Sequence, residues 1–245
     1  MLGKSQAKYI QSLGQKKVRD AEGVFVAEGP KIIAELLASA NANILQLYAL
    51  HDWIAANRND CNGVEIIEVD ENDLTKISQL ATPNKVLAVV KKQETADHLQ
   101  TKGTVSLVLE TIQDPGNLGT IIRIADWFGI EHVVCSRECV DIYNPKVVQA
   151  AMGGHIRISF YETDLLPYIS ALTIPVLAAT LNGDSLYSFN SFDKAVLLIG
   201  NESKGLSEEL IVKASHKITI PRRGGAESLN AAVSAGILCA ALVPH

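Results

Sequence analysis

Short aliphatic runs recur along this chain, and nearly every one is followed by a stretch whose apolar residues return at helical spacing. In the second half the runs are "VSLVLET" (105–111), "HVVCS", "PVLAAT" (175–180), "AVLLIG" (195–200) and "KITIP" (217–221). They are continuously apolar rather than alternating, which is the pattern of strands buried on both faces of a parallel sheet. The intervening helices read as 117–128, "NPKVVQAAM", "SEELIVKA" and about 229–242. Strands alternating with helices predict an α/β domain with a mainly parallel sheet. Hydrophobic residues make up 47% of the chain and aromatics only 5%, so the core is aliphatic.

The first third alternates in the same way on a smaller scale. Residues 4–20 read as a helix and "VFVAEG" (24–29) as a short strand. Pro30 fits the first turn of the next helix, "PKIIAELLASA". "ILQLYAL" (44–50), "VEIIEV" (64–69) and "KVLAVVKK" (85–92) are strands, with short helices at "WIAANR" and "ENDLTKISQL". The stretch 93–103, "QETADHLQTKG", is polar and without period. The reading is a small α/β domain over 1–95, a linker over 96–103 and a larger α/β domain over 104–245.

The net charge of −5 gives no global field that would draw the chain to nucleic acid. The charge is uneven, however. Lys4, Lys8, Lys16, Lys17 and Arg19 precede any acid. Taken alone they are a solvated helix face; taken functionally they are a local phosphate contact. Cys61, Cys135, Cys139 and Cys239 include no Cys-x-x-Cys pair and no His completes a metal set, so no metal is expected. The apolar run 231–243 is shorter than the ~20 residues a bilayer requires, and no secretory leader is apparent. A soluble cytoplasmic protein with reduced thiols is the expectation.

Ligands of open α/β sheets bind beyond the carboxyl ends of the strands. Three polar stretches lie there. "QDPGNLGTIIRIADWFG" (113–129) carries Asn117, able to cap a helix, and Arg123 among apolar neighbours. Read alone, Arg123 is an i,i+3 partner of Asp126 on an exposed face. "LLIGNESKGLSEEL" (197–210) has the glycine spacing of a phosphate loop, but Leu206 and Ser207 stand where its lysine and hydroxyl residue belong. No G-x-G-x-x-G follows any strand either. An NTPase and a dinucleotide dehydrogenase both lack their fingerprints. The third stretch, "IPRRGGAESLN", joins a basic loop with Arg222 and Arg223 to Glu227, Ser228 and Asn230 at the mouth of an apolar helix. Helix capping needs only one of these polar residues.

In this order the stretches read D-P-x-N-x-G-x-x-x-R, then I-G-N-E-x-x-G-L-S, then I-P-x(6)-S-L-N, over roughly residues 105–243. The set resembles the three motifs of the SpoU/TrmH family, RNA ribose 2′-O-methyltransferases of the SPOUT class. "FVAEGPKIIAELL" is similar to the L30e-like substrate-binding domain that precedes the catalytic domain in many members. The chain departs from the family's usual look at 150–160, where Met152, Gly153 and His155 replace a Ser-x-Gly-Ala pattern.

The resemblance implies a trefoil knot burying the last helix, a homodimer whose active sites use both chains, and S-adenosylmethionine as cofactor. It places the cofactor against Gly200, Ile220 and Leu229, with Thr180, Leu181 and Asn201 completing the pocket. It assigns the reaction to Arg123, Asn117, Ser228 and Asn230, with Glu202 holding the loops together. An arginine normally keeps its proton, with a pKa above ~12. Two roles are therefore open to Arg123: a transient base in a dry pocket, or a charged donor to a developing alkoxide. Lys4, Lys8, Lys16, Lys17, Arg19, Arg157, Arg222 and Arg223 form the implied RNA-facing surface. rRNA is the favoured substrate and tRNA the second. The competing readings are a non-catalytic RNA-binding or ribosome-assembly factor of the same fold, and a nucleotide enzyme of ordinary α/β type.

Overall fold

The computed structural model describes residues 2–93 and 105–244, so the linker expected over 96–103 lies outside the described residues. In chain order the elements are α1 (Lys4–Ser12), α2 (Lys16–Glu22), β1 (Val24–Glu28), α3 (Pro30–Ala38), β2 (Ile44–Ala49), α4 (His51–Asn57), β3 (Glu65–Glu68), α5 (Glu71–Ile77) and β4 (Val86–Lys91). They continue as β5 (Val105–Leu109), α6 (Pro115–Trp127), β6 (His132–Cys135), α7 (Pro145–Ala151), β7 (Ser159–Glu162) and α8 (Leu165–Ser170). Last come β8 (Val176–Ser185), β9 (Ala195–Ile199), α9 (Glu208–Lys213), β10 (His216–Thr219) and α10 (Ala231–Leu242).

The chain divides into two compact units. The first comprises Met1–Glu94 and Asp141–Ile156. Its sheet runs β1-β4-β2-β3, with β4 antiparallel to both β1 and β2, and β3 parallel to β2. Tyr143, Val148 and Ile156 from the second segment join Phe25, Ile33 and Leu47 in one core. The helix expected over 4–20 is broken in two. Arg19 explains the break: its Nη1 donates to the carbonyls of Leu13 and Gly14, both at 2.8 Å. Those are acceptors that a continuous helix would use for its own ladder.

The second unit comprises Thr95–Val140 and Arg157–His245. Its six-stranded sheet runs β10-β8-β9-β5-β6-β7, and every pairing in it is parallel. Val105, Leu107, Val108 and Leu109, like Val196, Leu197 and Leu198, are fully buried, as continuous apolar strands of a parallel sheet should be. Two elements carry no clear sequence signal: β7, whose outer residues are polar, and α8, of only six residues. The register of β10 on β8 jumps from Lys217↔Ala178 to Ile218↔Asp184. Residues 179–183 are thereby thrown out of the ladder at the carboxyl end of β8. Gly183 permits this, because a Cβ there would stand 2.4 Å from the Lys217 carbonyl oxygen. Among the described residues no helix is long and apolar enough to cross a membrane. The four cysteines are free thiols.

Candidate active site

A cavity of about 900 Å³ opens at the carboxyl ends of β8, β9 and β10. Thr180 and Leu181 line it from the β8 excursion, and Gly200, Asn201 and Glu202 from the end of β9. Ile220, Arg222, Arg223, Ser228 and Leu229 line it from the loop between β10 and α10. Every residue expected at the cofactor thus borders one cavity.

The loop after β9 is fixed by Asn201. Its Oδ1 accepts from the backbone of Ser203 (2.9 Å) and Lys204 (3.1 Å), and its backbone pairs with that of Gly205. Its Nδ2 donates to the Thr111 carbonyl at 2.8 Å, which ties the end of β9 to the end of β5. Gly200 has no alternative, since a Cβ there would lie 2.3 Å from the Gly205 carbonyl carbon. One residue here escapes sequence reading. Glu110 accepts from the Ser207 N–H at 2.7 Å, while the Ser207 side chain makes no cap. An acidic residue directly after β5 was the only signal available.

A short chain of hydrogen bonds joins the three polar stretches. Asn230 Nδ2 donates to Asn117 Oδ1 at 2.8 Å, and Asn117 Nδ2 donates to Glu202 Oε1 at 2.6 Å. Asn230 also caps α10, its Oδ1 accepting from Ala232 and Val233. Asn117 does not cap α6; Asp114 does, accepting from the Asn117 N–H at 2.7 Å. Ser228 is exposed on the cavity rim.

The arginines separate sharply. Arg123 is exposed on α6 and makes no ion pair or hydrogen bond among the described residues. It does not line the cavity of its own chain. The pairing with Asp126 goes instead to Arg157, whose Nε and Nη2 reach the two carboxylate oxygens at 2.7 and 2.8 Å. Arg157 is therefore committed to that pair rather than standing ready for RNA. Arg19 corrects the expected RNA surface more completely. It is only 2% exposed, and its guanidinium is spent on Asp141, Leu13 and Gly14. Lys16 pairs with Asp20 at 2.8 Å. Lys4, Lys8 and Lys17 are exposed without an ion pair among the described residues. Arg222 bonds the Ala226 carbonyl of its own loop at 3.2 Å. Arg223 is exposed.

Two features test whether the cavity suits a nucleoside cofactor. The Thr180 hydroxyl is buried on the cavity wall with no protein partner, as an atom kept for a ligand would be. The Gly205 and Leu206 backbone packs so closely on Gly200 that no side chain fits there, which keeps this part of the cavity wall main chain. Both fit. No group of three or more His, Cys, Asp or Glu capable of holding a metal occurs among the described residues.

An open parallel sheet with a cavity at its carboxyl ends, lined by polar loops, defines an α/β protein that binds a ligand at its strand ends. The SpoU rRNA Methylase family matches residues 104–240, and the MRM3-like substrate binding domain matches residues 4–88. The chain belongs to the SpoU methylase family. It is 31% identical over 232 residues to the 23S rRNA (guanosine(2553)-2′-O)-methyltransferase RlmP of Bacillus subtilis, covering 93% of this chain and 92% of that one. A putative RNA methyltransferase of the TrmH family from Porphyromonas gingivalis superposes with a TM-score of 0.84 at 36% identity, covering 98% of this chain and 97% of that one. The AdoMet-bound rRNA methyltransferase from Sinorhizobium meliloti superposes at 0.83 with 29% identity, covering 98% and 95%.

Proposed function

We propose that this protein transfers a methyl group from S-adenosylmethionine to a ribose 2′-hydroxyl of structured RNA, with rRNA as substrate. The observation that carries the reading is the Asn230–Asn117–Glu202 chain, which closes the three motif stretches around one cavity. The rRNA relatives and the substrate-binding match over 4–88 support the choice of RNA. In this reading residues 1–95 form the RNA-binding domain, joined by the segment Asp141–Ile156, and the rest of 104–245 forms the knotted catalytic domain.

When bound, S-adenosylmethionine supplies an electrophilic methyl carbon on a sulfonium. Gly200, Asn201, Ile220 and Leu229 would hold it, largely through backbone groups, with the Thr180 hydroxyl satisfied by it and Leu181 covering it. The chain's own residues supply the rest. Asn117, Asn230 and Ser228 orient the ribose. Glu202 holds Asn117 in place through a charge-assisted bond rather than acting as base. The exposed guanidinium of Arg123 donates to the 2′-oxygen as negative charge develops there, and the hydroxyl proton passes to water as the oxygen–carbon bond forms. Holding both reactants in line contributes ~7–11 kcal/mol of barrier lowering.

The reading includes a homodimer. Thr120, Arg123 and Trp127 share the exposed face of α6, and Trp127 is 82% exposed. Helix α10, which packs on α6, leaves Val233 and Ile237 exposed as well. A second copy on this face would cover the apolar residues and bring Arg123 toward the partner's cavity.

The test is methyl transfer from labelled S-adenosylmethionine to unmodified total RNA, followed by digestion to nucleosides. A 2′-O-methyl product is expected, and Arg123→Ala should lower it at least a hundredfold while melting like the wild type, because the side chain has no partner to lose. Methylation on a base, or an Arg123→Ala rate equal to the wild type, would overturn the assignment.

A further inference from the structure

The loop after β9 ends in a cation that the proposed chemistry does not use. Lys204 stands at the tip of residues 201–205, with its backbone N–H fixed by the Asn201 side chain. Gly205 turns the chain back in the left-handed region at φ +69°, and its N–H donates to the Asn201 carbonyl at 2.9 Å. The backbone is thus held rigid while the Lys204 side chain is exposed on the cavity rim, without an ion pair among the described residues. Its neighbour Glu202 is already engaged by Asn117.

We propose that Lys204 is a positioning residue that grips an RNA phosphodiester beside the nucleotide entering the cavity. The inference rests on the RNA reading above and deepens it. Three arguments lead to a phosphate. First, the chain has a net charge of −5, so attraction to RNA depends on local cations near the site. Second, Lys204 is two residues from Glu202 and so lies beside the hydrogen-bonded chain that orients the ribose. A cation on a pre-fixed loop loses less entropy on binding than one on a loose loop. Third, the rim meets the larger ligand that covers the mouth, whereas the walls formed by Gly200, Ile218 and Leu238 are backbone and aliphatic. Arg223 offers a second exposed cation from the facing loop, so one phosphate track can be gripped from both sides.

The test measures RNA binding, which does not require turnover. Fluorescence anisotropy with an unmodified 23S rRNA transcript is recorded across a series of KCl concentrations for wild type, Lys204→Ala and Lys204→Arg. Lys204→Ala should bind about fivefold more weakly near physiological salt, with the log–log salt slope smaller by about 0.7–0.9, the loss of one phosphate contact. Lys204→Arg should restore both. Calorimetric affinity for S-adenosylmethionine should stay within about twofold, which a mere loosening of the loop would not allow. An unchanged salt slope in Lys204→Ala overturns the inference alone. Weaker cofactor binding with an unchanged slope also overturns it, assigning the lysine to the cofactor's carboxylate. A wild-type protein without affinity for the RNA would overturn the broader reading as well.

Discussion

Burial decides what each arginine does. Arg123 is exposed and unpaired, Arg157 is clamped to Asp126, and Arg19 is sealed beside Asp141. In the sequence Arg19 belongs to a run of basic residues, and its partner lies 122 positions away, so nothing local distinguishes it from Lys16 or Lys17. Removing it should be costly. Arg19→Met leaves the Asp141 carboxylate without its partner and should lower unfolding free energy by about 3–5 kcal/mol in urea titration. Adding Asp141→Leu should recover a substantial part, because the stranded charge is then gone. A loss under 1 kcal/mol for Arg19→Met would show that the pair is looser than its geometry. His155 poses a related question for a residue that gains a proton. Burial pushes it down to about 4, and its Nε2 lies 2.8 Å from the Ile142 carbonyl. Between 6.5 and 4 the unfolded chain takes up a proton that the folded one refuses. Stability is therefore complete above the unfolded value and falls as pH drops through this window, by about 3 kcal/mol in all. His155→Gln, which keeps a donor for the carbonyl, should lose less stability than wild type between pH 7.5 and 5. Parallel losses would place the titrating group elsewhere.

At the scale of elements, the apolar runs were readable because a doubly covered parallel strand has no room for polar residues. The bulge within β8 was not, since it depends on the register that β10 adopts. The polar opening of α10 was half readable. Asn230 is visible as a cap, yet its bond to Asn117 spans 113 positions. The two functions can be separated. Asn230→Asp keeps an oxygen to accept from Ala232 and Val233, and adds a negative charge at a helix N-terminus, where it is welcome. It removes the donor to Asn117 and sets oxygen against oxygen. Asn230→Ala removes both. We expect Asn230→Ala to lose about 1 kcal/mol of stability and Asn230→Asp almost none, while both lose at least tenfold in methyl transfer. Melting curves and rates measured on the same preparations decide it. An active Asn230→Asp enzyme would reduce the residue to a cap.

For the whole molecule, the order of secondary structure was legible, but the grouping of segments was not. Asp141–Ile156 belongs to the first compact unit although it follows β6 of the second. The sequence spacing that matches the family runs through this segment without a break, so only long-range contacts reveal where it packs. The same holds for helix α10. By composition it reads as buried on all sides, as a helix apolar all round normally is. In the folded chain one side packs on α6, where a Cβ at Gly236 would stand 3.5 Å from Ile124 Cδ1, while Val233 remains 50% exposed. The exposed apolar residues on α10, with Trp127 on α6, are the ones that the proposed dimer would cover. Sedimentation velocity should accordingly give twice the chain mass at micromolar concentration. Val233→Glu places a charge on the exposed side of α10 and should shift the protein to monomer without lowering its melting temperature, because the side chain is already half in water. Val212 on α9 is the control: it is 69% exposed but away from α6 and α10, and Val212→Glu should remain dimeric. Methyl transfer by the Val233→Glu monomer should fall with dimerisation, since Arg123 is exposed on α6, the helix α10 packs on, and does not line its own cavity. A fully active monomer would show that each chain completes its own site.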